Sequence, residues 1–252
     1  MNIGIIQGRL SLPLEGFQEC PADWKKEFSN LSKLGLNHIE WIITKKSFFD
    51  NPFFKNDLSE YPIHSVCADN LVDERIDDFE FVSDNLNPIC LAAIKNNVKF
   101  VTIPLLEDSS VEDDIKRDKF NKILKTFVNR YPDLNFSIEA ELEIEKLSEI
   151  LQVSDTVCVT YDTGNITSFG IDHEEYIERL LPRISNIHLK DRTLQGKTVP
   201  PSTGDTNFKL IFDKLRKFNY SNVFTLQTAR ETEGKEIETI SKHLDVLRSI
   251  NE

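Results

Sequence analysis

The sequence is poor in several residue types on which common classes of protein depend. Its 252 residues include 9 glycines, 4 cysteines and one methionine, and its 30 Lys and Arg are outnumbered by 42 Asp and Glu. The net charge of -12 repels phosphate groups, so we expect neither a nucleic-acid partner nor a membrane partner. No run approaches the roughly 20 apolar residues of a membrane span. The first residues, MNIGIIQGRL, lack the basic segment of a signal peptide, which predicts a cytoplasmic protein.

The four cysteines form neither a metal-binding nor a disulfide pattern. Cys20, Cys67, Cys90 and Cys158 are scattered without a CxxC pair, which argues against a zinc knuckle and against a disulfide framework. We therefore predict reduced thiols, with Cys67 and Cys158 as small core residues on strands.

Short β-rich segments alternate with longer amphipathic segments along the chain. The strand candidates are NIGIIQ, HIEWII, PIHSVCA, KFVTIPLL, NFSIEA, VCVTYD, SNIHLK and VFTLQT. The helix candidates include PADWKKEFSNLSKLG, EDDIKRDKFNKILKTFVNR, ELEIEKLSEILQV, EEYIERLL, FKLIFDKLRKF and IETISKHLDVLRSI. Eight such units in about 250 residues favour parallel strands in a single (β/α)₈ TIM barrel over residues 1–252. A dinucleotide-binding sheet is disfavoured, because no GxGxxG follows the first strand and no GxxxxGK[ST] occurs.

The active site of such a barrel lies at the carboxyl ends of its strands. Polar residues at those ends are therefore the first candidates: Gln7, Arg9, Glu40, Asp69, Glu139, Asp162, His188, Lys190 and Gln227. Residues two apart on a strand share a face, so the apolar Phe136 and Ile138 point outwards and Glu139 points to the barrel axis. The same argument directs His188 and Gln227 inwards.

Consecutive strands thus direct one potential ligand each to the barrel mouth: Glu139, Asp162, His188 and Gln227. Carboxylates, an imidazole and an amide oxygen suit a divalent cation such as Mn²⁺, Mg²⁺ or Zn²⁺. Each residue alone has an ordinary explanation, since Asp162 in YDTGN suits a turn or cap and a single histidine is usually a core residue. Four of them on neighbouring strands make coincidence a poor explanation.

Several segments resemble the xylose-isomerase-like barrels, a family that includes sugar isomerases and epimerases, inosose dehydratases and endonuclease IV. They are IGIIQGRL, HIEW, SIEAEL, YDTGN, NIHLKDR, GDTNF and FTLQTAR. The resemblance implies one metal held by Glu139, Asp162, His188 and, where the family usually has glutamate, Gln227. The amide oxygen of Gln227 can coordinate but cannot take a proton. Two carboxylates balance a divalent cation, which favours a stronger Lewis acid.

The chemistry implied by the resemblance is metal-assisted enolisation of a small sugar, with Glu139 as the base. Isomerisation needs proton transfer on one face of the enediolate, whereas epimerisation needs it on both. With Gln227 at the fourth position the residues favour isomerisation, unless a second proton carrier is present. The candidates for that carrier are Glu40, His64, Asp69 and Lys190, although His64 also suits a buried strand histidine.

Positive residues at the same strand ends indicate an anionic sugar, sugar phosphate or sugar acid. They are Arg9, Lys190, Arg192 and Arg230, although Lys190, Asp191 and Arg192 can also pair among themselves. The segment QGKTVPPSTGDTNF is a candidate lid, with Gly204 and Asn207 matching a loop of the family. The predicted substrate contacts are Gln7, Arg9, Asp69, Arg192, Asn207 and Arg230.

Other readings remain open at this point. A metal-dependent dehydratase shares the enolisation and differs only in its leaving group. A non-catalytic sugar-binding barrel would explain Gln227 as a lost acid/base. Phosphodiester cleavage is disfavoured, because five histidines are too few for the histidine-rich cluster of that branch. A homodimer is a further expectation.

Overall fold

The computed structural model describes residues 1–14, 17–21, 23–46 and 48–252, with side chains described outside residues 13–22 and 47. The strands are β1 (Asn2–Ile6), β2 (Pro13–Leu14), β3 (Phe17–Pro21), β4 (Ile39–Ile42), β5 (Ile63–Cys67), β6 (Phe100–Leu105), β7 (Asn135–Ala140), β8 (Val157–Asp162), β9 (Ile184–Leu189), β10 (Asp191–Arg192), β11 (Thr198–Val199) and β12 (Val223–Leu226).

The helices are α1 (Trp24–Leu34), α2 (Pro52–Lys55), α3 (Phe79–Lys95), α4 (Asp114–Arg130), α5 (Ile144–Leu151), α6 (Thr163–Phe169), α7 (His173–Leu180), α8 (Phe208–Lys217) and α9 (Glu236–Asn251). Short 3₁₀ helices cover Phe48–Asp50, Asp69–Leu71, Glu74–Asp77, Glu107–Ser109 and Leu181–Arg183. Within the described residues, no helix combines the length and the apolar character that a membrane crossing demands.

Eight parallel strands pair in the order β1-β12-β9-β8-β7-β6-β5-β4 and close into a barrel. Thr225 on β12 lies opposite Gly4 on β1 and opposite His188 on β9. The antiparallel hairpins β2–β3 and β10–β11 form two separate two-stranded sheets. The prediction of an eight-stranded TIM barrel is therefore confirmed.

The chain divides into two compact units, of which the first comprises Met1–Ile39 and Tyr161–Glu252. Its strands β1, β9 and β12 carry small and polar residues at matching positions. The hydroxyl of Thr225 donates to Oδ1 of Asn186 at 2.9 Å and lies 3.3 Å from Nε2 of His38. Gly4 makes room for that ring, because a Cβ at position 4 would lie 2.2 Å from it. Polar side chains of β9 and β12 therefore share a face, as strand alternation predicts.

The second unit, Glu40–Thr160, shows the same alternation on β6 to β8. The hydroxyl of Thr102 donates to Oε1 of Glu40 at 3.0 Å, and the hydroxyls of Ser137 and Thr160 lie 2.7 Å apart. Ser137 is two residues before Glu139, so these contacts also identify the face of β7 to which Glu139 belongs.

The described cysteine side chains are free thiols. Cys67 and Cys90 are buried, and Cys158 is partly exposed on β8. The side chain of Cys20 lies outside the described residues.

Candidate metal centre

Asp162 ends β8 and precedes α6, and its two carboxylate oxygens have different partners. Oδ1 accepts the backbone N–H of Asn165 at 2.8 Å, which makes Asp162 the N-cap of α6. Oδ2 lies 3.2 Å from Nζ of Lys190 and 3.9 Å from Nδ1 of His188. Oδ1 therefore caps a helix, while Oδ2 lies near the ammonium of Lys190 and the imidazole of His188.

His188 is fully buried on β9, and its main chain is fixed from the neighbouring strand end. The hydroxyl of Thr163 donates to the carbonyl oxygens of His188 at 3.1 Å and Lys190 at 2.7 Å. The chain that leaves β8 thus holds the end of β9, where His188 lies on the strand and Lys190 directly follows it.

Glu139 is buried near the carboxyl end of β7. One ligand atom from each of Glu139, Asp162 and His188 lies within 4.8 Å of the other two. Donor atoms around a single zinc-like cation are about 3–4 Å apart, because each lies about 2.0–2.2 Å from the metal. Two carboxylates and one imidazole also balance a divalent charge. These three residues therefore fit a divalent cation in donor type and charge, and their donor atoms lie close to the spacing that one ion requires.

Lys190 lies beside Asp162, and its side chain is largely buried. Nζ is 3.2 Å from Oδ2 of Asp162, Oδ1 of Asn165 and Oε1 of Gln227. Gln227 directly follows β12 and is half-buried, and its backbone N–H donates to the carbonyl of Leu189 at 3.2 Å. Two of the four predicted ligands, Asp162 and Gln227, thus place an oxygen beside this lysine, and Gln227 is the uncharged one of the two.

Three predicted residues lie in the first part of the second unit, two of them on strands and one after a strand. Glu40 is fully buried and accepts from Thr102. His64 stacks on Phe100 with ring centroids 4.9 Å apart, and burial lowers the pKa of His64 while the Glu40 charge opposes that effect. Asp69 is exposed at the start of a 3₁₀ helix.

The predicted cationic contacts fall into separate groups. Arg9 and Arg230 line a common cavity of about 200 Å³, and Nε of Arg9 donates to the carbonyl of Thr228 at 3.3 Å. Arg192 directs Nη1 to the hydroxyl of Ser168 at 3.4 Å. Lys190 belongs to the carboxylate and amide cluster described above.

Gln7 and Asn207 differ sharply in their surroundings. Gln7 is buried just after β1. Asn207 is exposed, and its side-chain oxygen caps α8 by accepting the N–H of Leu210 at 3.1 Å. The role of Asn207 as a substrate contact stays a prediction.

Two buried carboxylates that sequence reasoning missed hold the loops around these residues. Glu27 on α1 accepts the N–H groups of Gly8 at 2.6 Å and Leu10 at 3.0 Å. Asp191 accepts the N–H groups of Thr203, Gly204 and Thr206 at 3.1, 2.9 and 3.2 Å. Both contacts are long-range, so neither has a local signal in the sequence.

Gly204 is required where the segment predicted as a lid crosses Asp191. A Cβ at Gly204 would lie 2.4 Å from Oδ1 of Asp191 and 2.7 Å from the carbonyl oxygen of Arg192. The segment is therefore anchored to β10 by a buried carboxylate and a close main-chain approach.

The sequence model of the xylose isomerase-like TIM barrel family matches residues 63–250. The chain belongs to this family. The resemblance predicted from the sequence motifs is thereby confirmed. Inosose dehydratases from strains 7448 and 232 of Mesomycoplasma hyopneumoniae are each 29% identical over 133 residues, a match that covers 45% of this chain and 44% of each relative. The match therefore spans less than half the length of these curated relatives.

Solved structures with the same xylose isomerase-like fold cover nearly the whole chain. The 3-keto-D-glucoside 4-epimerase YcjR from E. coli has a TM-score of 0.73 at 15% identity, covering 99% of both chains. The IOLI protein with a bound zinc atom has a TM-score of 0.73 at 16% identity, covering 99% of this chain and 98% of that one. These relatives include enzymes that act on sugars, in agreement with the prediction of an enzyme.

Proposed function

We propose that this barrel is a divalent-metal-dependent isomerase or epimerase of a small sugar or sugar derivative. The observation that carries the proposal is the buried triad of Glu139, Asp162 and His188, whose ligand atoms lie within 4.8 Å of one another. Family membership and the zinc-bound relative support the same assignment. Mn²⁺, Mg²⁺ and Zn²⁺ are the ions to compare.

A bound divalent cation would supply Lewis-acid stabilisation of the negative charge that develops on the substrate carbonyl oxygen. Glu139 removes the proton from the carbon beside the carbonyl and returns it to the former carbonyl carbon, while the hydroxyl proton passes from one substrate oxygen to the other. The ammonium of Lys190 donates a hydrogen bond to the developing oxyanion. Because Gln227 takes no proton, transfer on a single face, and hence isomerisation, is favoured.

The cavity lined by Arg9 and Arg230 is the proposed site for the anionic end of the substrate. Its volume of about 200 Å³ suits a small group, and guanidinium groups bind carboxylates through paired hydrogen bonds. Glu231, Glu233 and Glu236 line the same cavity. Their negative charge disfavours a dianion, so a sugar acid is a better candidate than a sugar phosphate.

Solvent exchange tests this proposal directly. The protein is loaded with each ion in D₂O and incubated with small aldoses, ketoses and their acids, and deuterium is located by NMR. We expect incorporation beside the carbonyl without inversion, and its loss in Glu139→Gln. Incorporation with inversion at one carbon would support epimerisation and contradict single-face transfer. A lack of exchange with every ion and sugar would refute the proposal.

A dehydratase is the second candidate, because the curated relatives with sequence similarity are named inosose dehydratases. Elimination uses the same enolisation and then expels a hydroxyl group from the next carbon. The same incubations distinguish it, since a dehydratase yields a product lighter by one water.

A further inference from the structure

Four consecutive residues of the YDTGN motif, Asp162 to Asn165, contact or make room for Lys190. Asp162 and Asn165 each place a side-chain oxygen 3.2 Å from the ammonium. The hydroxyl of Thr163 lies 3.0 Å from the backbone nitrogen of Lys190 and 2.7 Å from its carbonyl oxygen. Gly164 leaves space for the stem, because a Cβ there would lie 2.9 Å from Cγ of Lys190. The motif is thus a cradle for one lysine.

Gln227 completes this cradle from the neighbouring strand end. An ammonium group has three N–H donors, and Oε1 of Gln227 is the third oxygen at 3.2 Å from Nζ, after those of Asp162 and Asn165. The Lys190 side chain is only 10% exposed, so each acceptor matters more than it would on an open surface.

We infer that Gln227 is a positioning residue for Lys190, and that its amide oxygen serves this ammonium instead of the metal. A neutral amide oxygen shared between an ammonium and a divalent cation would hold two positive groups close together without a charge to offset them. Asp162 can serve both groups, because its carboxylate carries that charge. The metal is then held by Glu139, Asp162 and His188.

The same inference explains the amide at a position where the family usually has glutamate. A carboxylate at 227 would add a second negative charge to the acceptors of Lys190, whereas the amide supplies an acceptor and no charge. The charge of the ammonium is therefore less neutralised, and it attracts a substrate oxyanion more strongly. What the ammonium does for the substrate rests on the proposed function, whereas its placement by Gln227 does not.

A double-mutant cycle in metal-free protein tests the placement. Urea unfolding is measured for wild type, Gln227→Leu, Lys190→Met and the double variant. Because Gln227→Leu removes an acceptor from a buried ammonium, the two changes should be non-additive by about fivefold or more in the unfolding equilibrium constant. Additive effects would overturn the inference, and this result needs no bound metal.

Titration of the metal-free proteins with Mn²⁺ alone tests which group the amide serves. We expect the Mn²⁺ affinity of Gln227→Leu to stay within about threefold of wild type, like that of the exposed control Gln152→Leu, whereas Glu139→Gln loses about a hundredfold. A loss above tenfold in Gln227→Leu would overturn the inference and make Gln227 a ligand. If wild type binds no metal, the proposed function fails and the unfolding cycle alone decides the placement.

A third measurement separates positioning from a purely structural contact. With the sugar identified by deuterium exchange, Gln227→Leu should lower the exchange rate about tenfold while KM stays within about threefold. An unchanged rate would refute the functional part of the inference.

Discussion

The carboxylate of Glu27 accepts the backbone N–H of Gly8 at 2.6 Å, and through this contact α1 holds the loop that follows β1. The same carboxylate accepts the hydroxyl of Ser11 at 2.7 Å. The loop carries Gln7 and Arg9, both predicted to contact the substrate. One buried side chain therefore fixes the main chain from which two candidate contacts extend.

Replacing Glu27 with glutamine should loosen this loop. An amide presents only one acceptor oxygen, and its NH₂ group would oppose one of the N–H donors, so we expect a loss of about 1–3 kcal/mol in the free energy of unfolding. Urea unfolding of Glu27→Gln, beside the exposed control Glu60→Gln, measures this. Equal stability of the two variants would contradict it.

The pH dependence of stability should carry the signature of Glu27. Burial raises the pKa of Glu27 above 4.5, while hydrogen bonds from Ser11, Gly8 and Leu10 and the charge of Arg230 oppose the rise. The folded state therefore holds this proton more tightly than the unfolded state. The contribution of Glu27 to stability falls as pH rises from 4.5 to its folded pKa. Glu27→Gln should lack that part of the slope.

His173 should lower the stability of the folded protein in mildly acidic solution. Its ring lies 2.6 Å from the hydroxyl of Tyr161 and 2.9 Å from that of Thr167, and burial lowers the pKa of His173 from 6.5 to about 4. Below pH 6.5 the unfolded state takes up a proton that the folded state excludes, so stability falls towards pH 4, by on the order of 3 kcal/mol.

Unfolding measured from pH 7 to pH 4 tests the role of His173. The His173→Gln variant keeps a polar side chain but has no proton to gain, so its stability should fall less steeply. Parallel curves for the variant and wild type would contradict this prediction.

Metal binding should raise the thermal stability of the protein through His188. At a hundredfold excess of ion over its Kd, the stabilisation is about 2.7 kcal/mol. We expect Zn²⁺ or Mn²⁺ to raise the Tm of wild type and not that of His188→Gln. The control is His243→Gln, because His243 is also buried but contacts the hydroxyl of Thr228 and is not part of the triad. Equal rises of Tm in both variants would show that His188 does not bind the metal.

Gly164→Ala should displace Lys190 while it changes the stability of the fold only slightly. Alanine favours the α6 helix over glycine by up to about 1 kcal/mol, but its Cβ would press on the Lys190 stem. We therefore expect a change in unfolding free energy below about 1 kcal/mol, together with at least tenfold slower deuterium exchange. Wild-type exchange rates in this variant would show that the lysine tolerates displacement.

The barrel was predictable because its signals are local and repeated. All eight predicted strands occur, and NFSIEA and VCVTYD match β7 and β8 residue for residue. Three helices, α2, α3 and α6, were missed for physical reasons. The helix α2 has only four residues, too few to show an apolar stripe. The helix α3 contains Pro88 and exposes Leu91 and Ile94, which blurs its apolar stripe. The sequence TGNITSF of α6 has low helix propensity, and Asp162 starts that helix by capping it.

The candidate site was predictable only in part. Strand parity identified Glu139, Asp162 and His188, which the structure brings together. Gly164 and Asn165 lie within the YDTGN motif identified in the sequence. The space that Gly164 leaves and the acceptor oxygen that Asn165 supplies, however, depend on where Lys190 lies. The cytoplasmic location and the homodimer stay predictions.

Because the two carboxylate oxygens of Asp162 have different partners, this residue is a poor position to vary when the substrate preference of the barrel is changed by laboratory evolution. A library that varies Asp162 changes the start of α6 and the cation-facing oxygen together, so most of its members carry two defects at once. The rim of the Arg9 and Arg230 cavity, where Glu231 and Glu233 are exposed, offers positions that can be varied independently. New substrate preferences should therefore be sought at that rim, with the helix start left as inherited.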